Sequence, residues 1–351
     1  MYLNEIYKVL ERNNYKQDAF VNYYYPFPYG KKIFFRYTEN GFTKLKGGSR
    51  LFIRYIELVY SLLRVLFFVW RKRPRLVNFS LISTLWPVVF FLRCVRSIKD
   101  VKLVMTCHDA MPFQSIVKME SSINRMRYMF SLSDYVLAHT PSSVDILVSY
   151  WGIKEEVIVN HLFPLLDLTS MPGFQSNPVR KTIDFLFIGF IRKEKGVDLL
   201  LDAWKIVNQT IPNANLVVAG ALPVWYNLDF SDCSDLNVRF EIGFVDDNRY
   251  VELVKSAKYV VLPYTKGTNS GVVSTVLSLG TNVITSDITM FRENSLLNKE
   301  LMFKSGDPLS LANILIESYN QKDCNFSQGE INNYRDSFED SVNMVYNKIL
   351  K

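Results

Sequence analysis

The stretch FLFIGFIRKEKGVDLLL, residues 185–201, decides how the rest of this sequence is read. Ile183, Phe185, Leu186, Phe187 and Ile188 make a short apolar run, the pattern of a parallel strand buried on both faces. The run ends at Gly189 and a basic loop follows. Behind Lys195 and Gly196, the residues Val197, Leu200, Leu201 and Trp204 recur at helical spacing. The segment therefore predicts a strand, a phosphate-sized loop and a helix. The first N–H groups of a helix lack intrahelical partners, so a helix start draws anions. Arg192 and Lys195, three positions apart, can add the charge-assisted bonds that a diphosphate needs. A solvated basic loop after a core strand is the alternative reading of the same residues.

A second stretch has the same grammar. In YVVLPYTKGTNSGVVSTVLSLGTNVITSDI, residues 259–288, a strand over Val260–Leu262 stops at Pro263, and a polar run reaches Asn269 and Ser270, both N-cap formers. A helix is predicted from Gly271, where a missing side chain lets a ligand approach the backbone. Gly280 ends it, and Asn282 to Thr285 starts the next strand. Two strand–loop–helix units thus offer anion sites at strand carboxyl ends. In a parallel sheet those ends share one edge, where ligands bind.

Together with VVAG (Val217–Gly220) and FEIGFVDD (Phe240–Asp247), these stretches resemble the nucleotide-sugar-binding domain of glycosyltransferase family 4, retaining enzymes of the GT-B architecture. The resemblance runs from Ile183 to about Ile316. In the first half it rests on VKLVMTCHDAMP (Val101–Pro112) and the run Asp134–Pro164. It implies an α/β, GT-B fold of two doubly wound Rossmann-like domains facing each other across a cleft. It assigns Gly189, Arg192, Lys195, Gly196, Thr268, Asn269, Ser270, Gly271 and Val272 to the donor diphosphate. Gly220, Phe244 and Val245 go to the nucleoside, and His108, which matches the family's cleft histidine, goes with Asp109 to catalysis. No metal and no cofactor beyond the nucleotide-sugar are implied. Two departures stand out. Most members carry Arg directly after the strand glycine, where this chain has Phe190, although sequences of the GFIRxxKG type place the cation at Arg192. The usual pair of glutamates seven residues apart is also missing, with Thr268 near the first position and Thr275 or Val276 near the second. That loss touches contacts to the donor sugar more than contacts to the diphosphate.

At 351 residues the chain is too long for one ordinary core. The reading is a first, acceptor-side domain over 1–166, a linker over 167–180 marked by Pro172, Gly173 and Pro178, a nucleotide-sugar domain over 181–333, and a helix over 334–351 that crosses back. The first domain predicts a helix over Leu3–Arg12, a strand around Ala19–Tyr24, a polar loop from Gly30 to Gly48, and strands at Leu76–Asn78 and Lys102–Thr106. It opens in a helix, where the family usually opens with a strand and a glycine-rich loop. Cys94, Cys107, Cys233 and Cys324 show no CxxC spacing, and no signal peptide opens the chain. That pattern predicts reduced thiols and a cytoplasmic location. Three histidines leave little for a metal site.

The net charge of +7 hides a polarity. Residues 1–110 hold 19 Lys and Arg against 7 Asp and Glu, or +12, and the remaining 241 hold 22 against 27, or −5. The helix over 50–75 is both basic (Arg50, Arg54, Arg64, Arg71, Lys72, Arg73, Arg75) and apolar, with Phe52, Ile53, Tyr55, Ile56, Val59, Tyr60, Leu63, Leu66, Phe67 and Trp70 expected on one wide face. Such a helix suits an anionic membrane surface at the inner face of the cell membrane, or else the core with a solvated cationic side. No nucleic-acid motif accompanies the charge. Leu76–Leu92 is uncharged for 17 residues, yet Pro87 and a strand at its start argue against a membrane span.

His108 and Asp109 follow a buried strand, Leu103–Thr106, so both fall at a sheet's carboxyl edge. Asp109 reads equally as a helix N-cap. His139 and His161 follow strands at Tyr135–Ala138 and Val157–Val159, where a loop-packing role is the expected one and cleft lining the alternative. The function expected is transfer of a sugar from a nucleotide diphosphate-sugar to a polysaccharide or lipid-linked acceptor with retention. The alternatives are a soluble small-molecule acceptor and a catalytically silent sugar-nucleotide-binding protein. No carboxylate is placed for a double displacement, which favours front-face attack.

Overall fold

The computed structural model describes residues 2–23, 25, 28–36, 48–80, 83–111, 120–170, 180–230, 233, 236–321 and 328–351. In chain order the first elements are α1 (Tyr2–Arg12), β1 (Phe20–Asn22), β2 (Lys31–Phe34), α2 (Gly48–Lys72), β3 (Leu76–Phe79), α3 (Trp86–Arg96), β4 (Lys102–Thr106), α4 (Glu120–Leu132), β5 (Tyr135–Ala138), α5 (Pro141–Ser149) and β6 (Ile158–Asn160). There follow β7 (Ile183–Ile188), α6 (Val197–Thr210), β8 (Leu216–Gly220), β9 (Val238–Ile242), α7 (Asp247–Ser256), β10 (Ala257–Leu262), α8 (Gly271–Ser278), β11 (Asn282–Ser286), α9 (Thr289–Arg292), β12 (Met302–Phe303), α10 (Pro308–Asn320) and α11 (Gln328–Leu350).

The chain divides into two units, one of residues 1–162 with 338–351 and one of residues 163–337. In the first, β3, β4, β5 and β6 form a parallel sheet in that order. Successive side chains of a strand point to opposite faces, and the burial follows. Leu103, Met105, Val136, Ala138 and Ile158 pack with residues of α2, α3, α4 and α5. Val104, Leu137 and Val159 turn the other way, against Ile6, Val9 and Leu10 of α1 and Phe338, Val342, Val345, Tyr346 and Ile349 of α11. The strand order has no reversal, so the crossover helices cover one face and the two ends of the chain cover the other. Lys102 Nζ donates to the Ile349 carbonyl (2.6 Å) and Arg75 to that of Leu350 (2.5 Å), two cations on the unpaired carbonyls of a helix end.

The second unit is a six-stranded parallel sheet of order β12-β11-β10-β7-β8-β9. The order reverses between β7 and β10, which pair directly, Ala257 opposite Ile183 and Val260 opposite Leu186. All six residues of β7 are buried. This is the doubly wound arrangement, and its reversal is the topological switch point.

Several expectations need correction. The loop expected from Gly30 contains β2, which pairs parallel with β1, Phe20 opposite Lys31, and sits on α2 through Ser61 Oγ donating to the Ile33 carbonyl. The first unit ends at 162 and not 166. Phe163 and Leu166 offer their carbonyls to Tyr334 Oη and Ser278 Oγ within the second unit. The last helix starts at Gln328, six residues before Tyr334, and only its residues from Phe338 onward belong to the first unit. Most of the expected linker, 171–179, lies outside the described residues, as do Cys324 and Pro112. In α2 the buried positions are Leu58, Ser61, Leu62, Val65 and Val69, a different face from the one expected. Phe52, Ile56, Tyr60, Leu63, Phe67 and Trp70 project outward, so the helix is apolar on two sides. No described helix is long and apolar enough to cross a membrane.

The carboxyl ends of β7 and β8 meet without room for a side chain. A Cβ on Gly220 (φ 147°) would stand 1.7 Å from the Gly189 carbonyl oxygen. Gly220→Ala should therefore destabilise the protein by about 3 kcal/mol or more, combining a glycine-only backbone with a backbone clash. Urea unfolding of the variant beside the parent measures it, and a midpoint within error of the parent contradicts it.

Candidate functional site

Two loops lie side by side at the switch point of the second unit. After Gly189 (φ 141°) the chain passes Arg192 into a 3-10 turn, Lys193–Lys195, and α6 starts only at Val197. The helix begins directly behind Gly196, and both cations precede it. Gly196 is left-handed (φ 66°), and a Cβ there would stand 2.0 Å from the Pro263 carbonyl oxygen. Thr265 N donates to the Glu194 carbonyl (3.0 Å) and ties the loop after β10 to the turn. Lys195 Nζ sits 3.6 Å from the ring centroid of Tyr264, a buried aromatic that sequence reasoning passed over. Burial pushes the Tyr264 hydroxyl up to about 12, with Ser270 pulling the other way. Arg192 lies over the exposed ring of Phe190, 5.0 Å from its centroid, and 3.8 Å from Glu194.

The start of α8 completes the edge. Its first residue is Gly271, as the sequence predicts. Ser270 is the N-cap but makes no side-chain capping bond, and Asn269 Oδ1 accepts instead from Ser270 N (2.8 Å). Val272 Cγ2 lies 3.8 Å from where a Cβ on Gly189 would be, so the two loops touch. Among the described residues, the buried Thr268 hydroxyl and the buried Arg192 Nε have no hydrogen-bond partner. Buried polar groups are nearly always paired, and two unpaired donors beside an uncapped helix start suit an anion. All nine expected diphosphate residues therefore fall on these two adjoining loops.

The three nucleoside candidates behave differently. Gly220 is explained by its packing on Gly189, Val245 packs partly into the core, and Phe244 is 91% exposed. A cavity of about 390 Å³ lies along α6, lined by Lys193, Asp198, Asp202, Lys205, Tyr226 and Asp229 among others. Its three carboxylates make it a poor diphosphate site.

In the first unit all three histidines of the sequence come together. His139 follows β5 and His161 follows β6 directly, and His108 lies two residues beyond β4. The ladder continues past these strands through Cys107 N to the Leu137 carbonyl and His161 N to that of Ala138. The ring of Tyr2, from α1, is 4.6 Å from His108, 5.1 Å from His139 and 6.0 Å from His161 between centroids. His139 Nε2 is 3.3 Å from His108 Nδ1. His161 Nδ1 is 2.6 Å from the Leu162 carbonyl, which can only accept, so Nδ1 carries the proton and Nε2 accepts from Tyr2 Oη (2.9 Å). Burial alone holds His108 down at about 4; burial holds His161 at about 4 against the pull of the Leu162 carbonyl, and burial followed by the two neighbouring imidazoles holds His139 well below the usual range. Burial, and after it Asp109, pushes the Cys107 thiol up to about 12. Asp109 is exposed, and the stretch after Met111 up to residue 119 lies outside the described residues. Nothing in the sequence pattern linked Tyr2 or His161 to His108. Among the described residues no three His, Cys, Asp or Glu side chains are arranged to hold a metal ion.

Comparison with known proteins bears on the second unit most directly. Residues 182–321 match the family model Glycosyl transferases group 1. The second unit carries a glycosyltransferase domain. A comparison with curated proteins finds no match. Among solved structures, the chain is similar to sucrose-phosphate synthase of Thermosynechococcus elongatus, with 14% identity, a TM-score of 0.62 and coverage of 99% of this chain and 90% of that one. It is similar to HepE of Anabaena, solved with UDP-glucose, at 16% identity and a TM-score of 0.57, covering 83% and 81%. It is also similar to TarM of S. aureus, a point mutant of which was solved with UDP, at 11% identity and a TM-score of 0.61. That match covers 83% of this chain and 59% of TarM. At these identities the likeness is one of fold: α/β, GT-B, with two Rossmann-like units on parallel sheets.

The buried histidines bind protons more weakly folded than unfolded, so their neutral form stabilises the first unit. That contribution is complete above the unfolded value near 6.5 and is lost as pH falls from there toward about 4. Urea midpoints should drop steeply between pH 6.5 and 4.5, and His161→Gln should flatten the drop. A parent midpoint that stays level over this range contradicts the assignment.

Proposed function

We propose that this protein transfers a sugar from a nucleotide diphosphate-sugar to a lipid-linked or polysaccharide acceptor, with retention, as a member of glycosyltransferase family 4. The observation that carries the reading is the pair of adjoining loops at the switch point of a domain matching group 1 glycosyl transferases. In it Arg192, Lys195, Thr268 and the N–H groups opening α8 hold the diphosphate. The acceptor oxygen bonds to the anomeric carbon as the bond from that carbon to the phosphate oxygen breaks. The acceptor proton passes to the departing phosphate oxygen. The protein's part is to hold charge on the leaving group with donors already in place. No metal is assigned to the reaction, and His108 is assigned to the sugar or the acceptor. Solved neighbours with UDP-glucose or ADP support a nucleotide-sugar donor.

The acceptor reading rests on α2. Tyr60, Phe67 and Trp70 are 62%, 61% and 58% exposed, and Arg64, Arg71 and Lys72 are exposed on the same helix. The apolar surface continues at Leu85, Trp86 and Phe90. An outward aromatic stripe beside cations matches an anionic lipid surface, where rings enter the headgroup layer and each cation contributes about 1 kcal/mol. We place the protein there, on the cytoplasmic face.

Arg192→Ala and Lys195→Ala should each weaken UDP or GDP binding by about 1.5–3 kcal/mol, the range for hydrogen bonds to charged groups. Calorimetry on each variant checks this, and parent-like affinity in both removes the diphosphate assignment. Replacing Arg64, Arg71 and Lys72 with Gln and Phe67 and Trp70 with Ser should release the protein from phosphatidylserine-containing vesicles. Arg75 is left intact because it caps α11. Cosedimentation equal to the parent would exclude this face.

A further inference from the structure

We propose that His139 is the positioning residue of His108, fixing its ring and holding it in one tautomer so that its Nε2 has a single hydrogen-bonding role. The inference rests on the assignment of His108 to sugar or acceptor. The nitrogens of the two rings stand 3.3 Å apart, and the rings stack with centroids 5.3 Å apart and planes 20° from parallel. Two neutral imidazoles at that distance share one N–H, so the state of one dictates the state of the other. If His139 donates, Nδ1 of His108 is the acceptor and its Nε2 bears the proton; if His108 donates, its Nε2 keeps the lone pair. In both arrangements the tautomer of His108 is tied to that of His139, and it becomes single when the buried ring of His139 keeps one state.

His139 is well placed for this task. It is buried, it follows β5 without a break, and Tyr2 and His161 pack on its ring with centroids 5.1 and 5.0 Å away. His161 is itself locked at both nitrogens, by the Leu162 carbonyl and by Tyr2. His108 is the most accessible of the three and therefore the ring with a face left for a ligand. The cluster amounts to a support two rings deep behind one working imidazole. The sequence-based reading of His139 and His161 as loop packing leaves this relation out.

The test uses the full chain labelled with ¹⁵N-histidine, in which only three rings give signals. Each is assigned by single substitution. In the parent at pH 7, His108 should show one neutral tautomer. His139→Phe keeps a ring in the stack but has no nitrogen, and in it His108 should become a mixture of tautomers. Its kcat for sugar transfer should fall about tenfold or more, as for loss of an outer-shell partner, with KM for the donor little changed. His139→Gln, with an amide near the position of Nε2, should recover much of both. A tautomer mixture at His108 in the parent overturns the proposal, and this outcome needs no variant to fold. A folded His139→Phe with parent-like His108 signals, or with parent-like kcat, overturns it as well. If the parent transfers no sugar from any nucleotide-sugar, the transferase reading fails, while the spectra still decide the contact between the two rings.

Discussion

The second unit depends on backbone approaching backbone at the ends of two strands. Gly220 meets the carbonyl of Gly189, and Gly196 meets that of Pro263, each at a distance where a Cβ would overlap an oxygen. These contacts draw β8 against β7 and press the turn of residues 193–195 onto the loop after β10. Their effect is to hold two helix-leading loops at one height along the sheet edge. A diphosphate needs its donors at that spacing before it arrives, because donors that must be gathered cost binding energy. The glycines thus set the spacing of the two loops on which the proposed diphosphate site rests.

The two units solve opposite electrostatic problems. The second concentrates positive ends, Arg192, Lys195 and the opening N–H groups of α8, around an edge from which side-chain caps are missing. The first encloses three imidazoles and a phenol, every one held neutral by burial. A neutral cluster can offer hydrogen bonds to uncharged hydroxyls without attracting phosphate.

What the sequence made legible was whatever local chemistry determines. β7 and β10 are apolar runs because both faces of a parallel strand are buried, and α8 opens at Gly271 where the polar stretch gives way to an apolar run, with no side-chain cap on it. The turn at Lys193–Lys195 was missed because its shape comes from Gly196 adapting to Pro263, 67 residues away. β2 read as loop because two lysines lead it and only Ile33 and Phe34 are partly covered. In α2 the apolar positions fit either face of the helix, and only its packing partners decide which one turns inward. The histidine cluster could not be read at all. Each histidine follows its own strand, and their meeting depends on the registers of β4, β5 and β6 and on a tyrosine 106 residues before His108.

The assembly of the first unit's outer face has a consequence for synthesis on the ribosome. Val104, Leu137 and Val159 find their cover in Phe338, Val342, Val345, Tyr346 and Ile349, and Lys102 and Arg75 bind the last carbonyls of the same helix. None of these partners exists until residues 338–350 have been translated. The second unit is contiguous and has all its strands well before that. Amino-terminal domains usually fold first as they emerge, but this one cannot complete its core before residues 338–349 are made. Until then α1 alone covers that side of the first unit's sheet, and the final turns of α11 complete it.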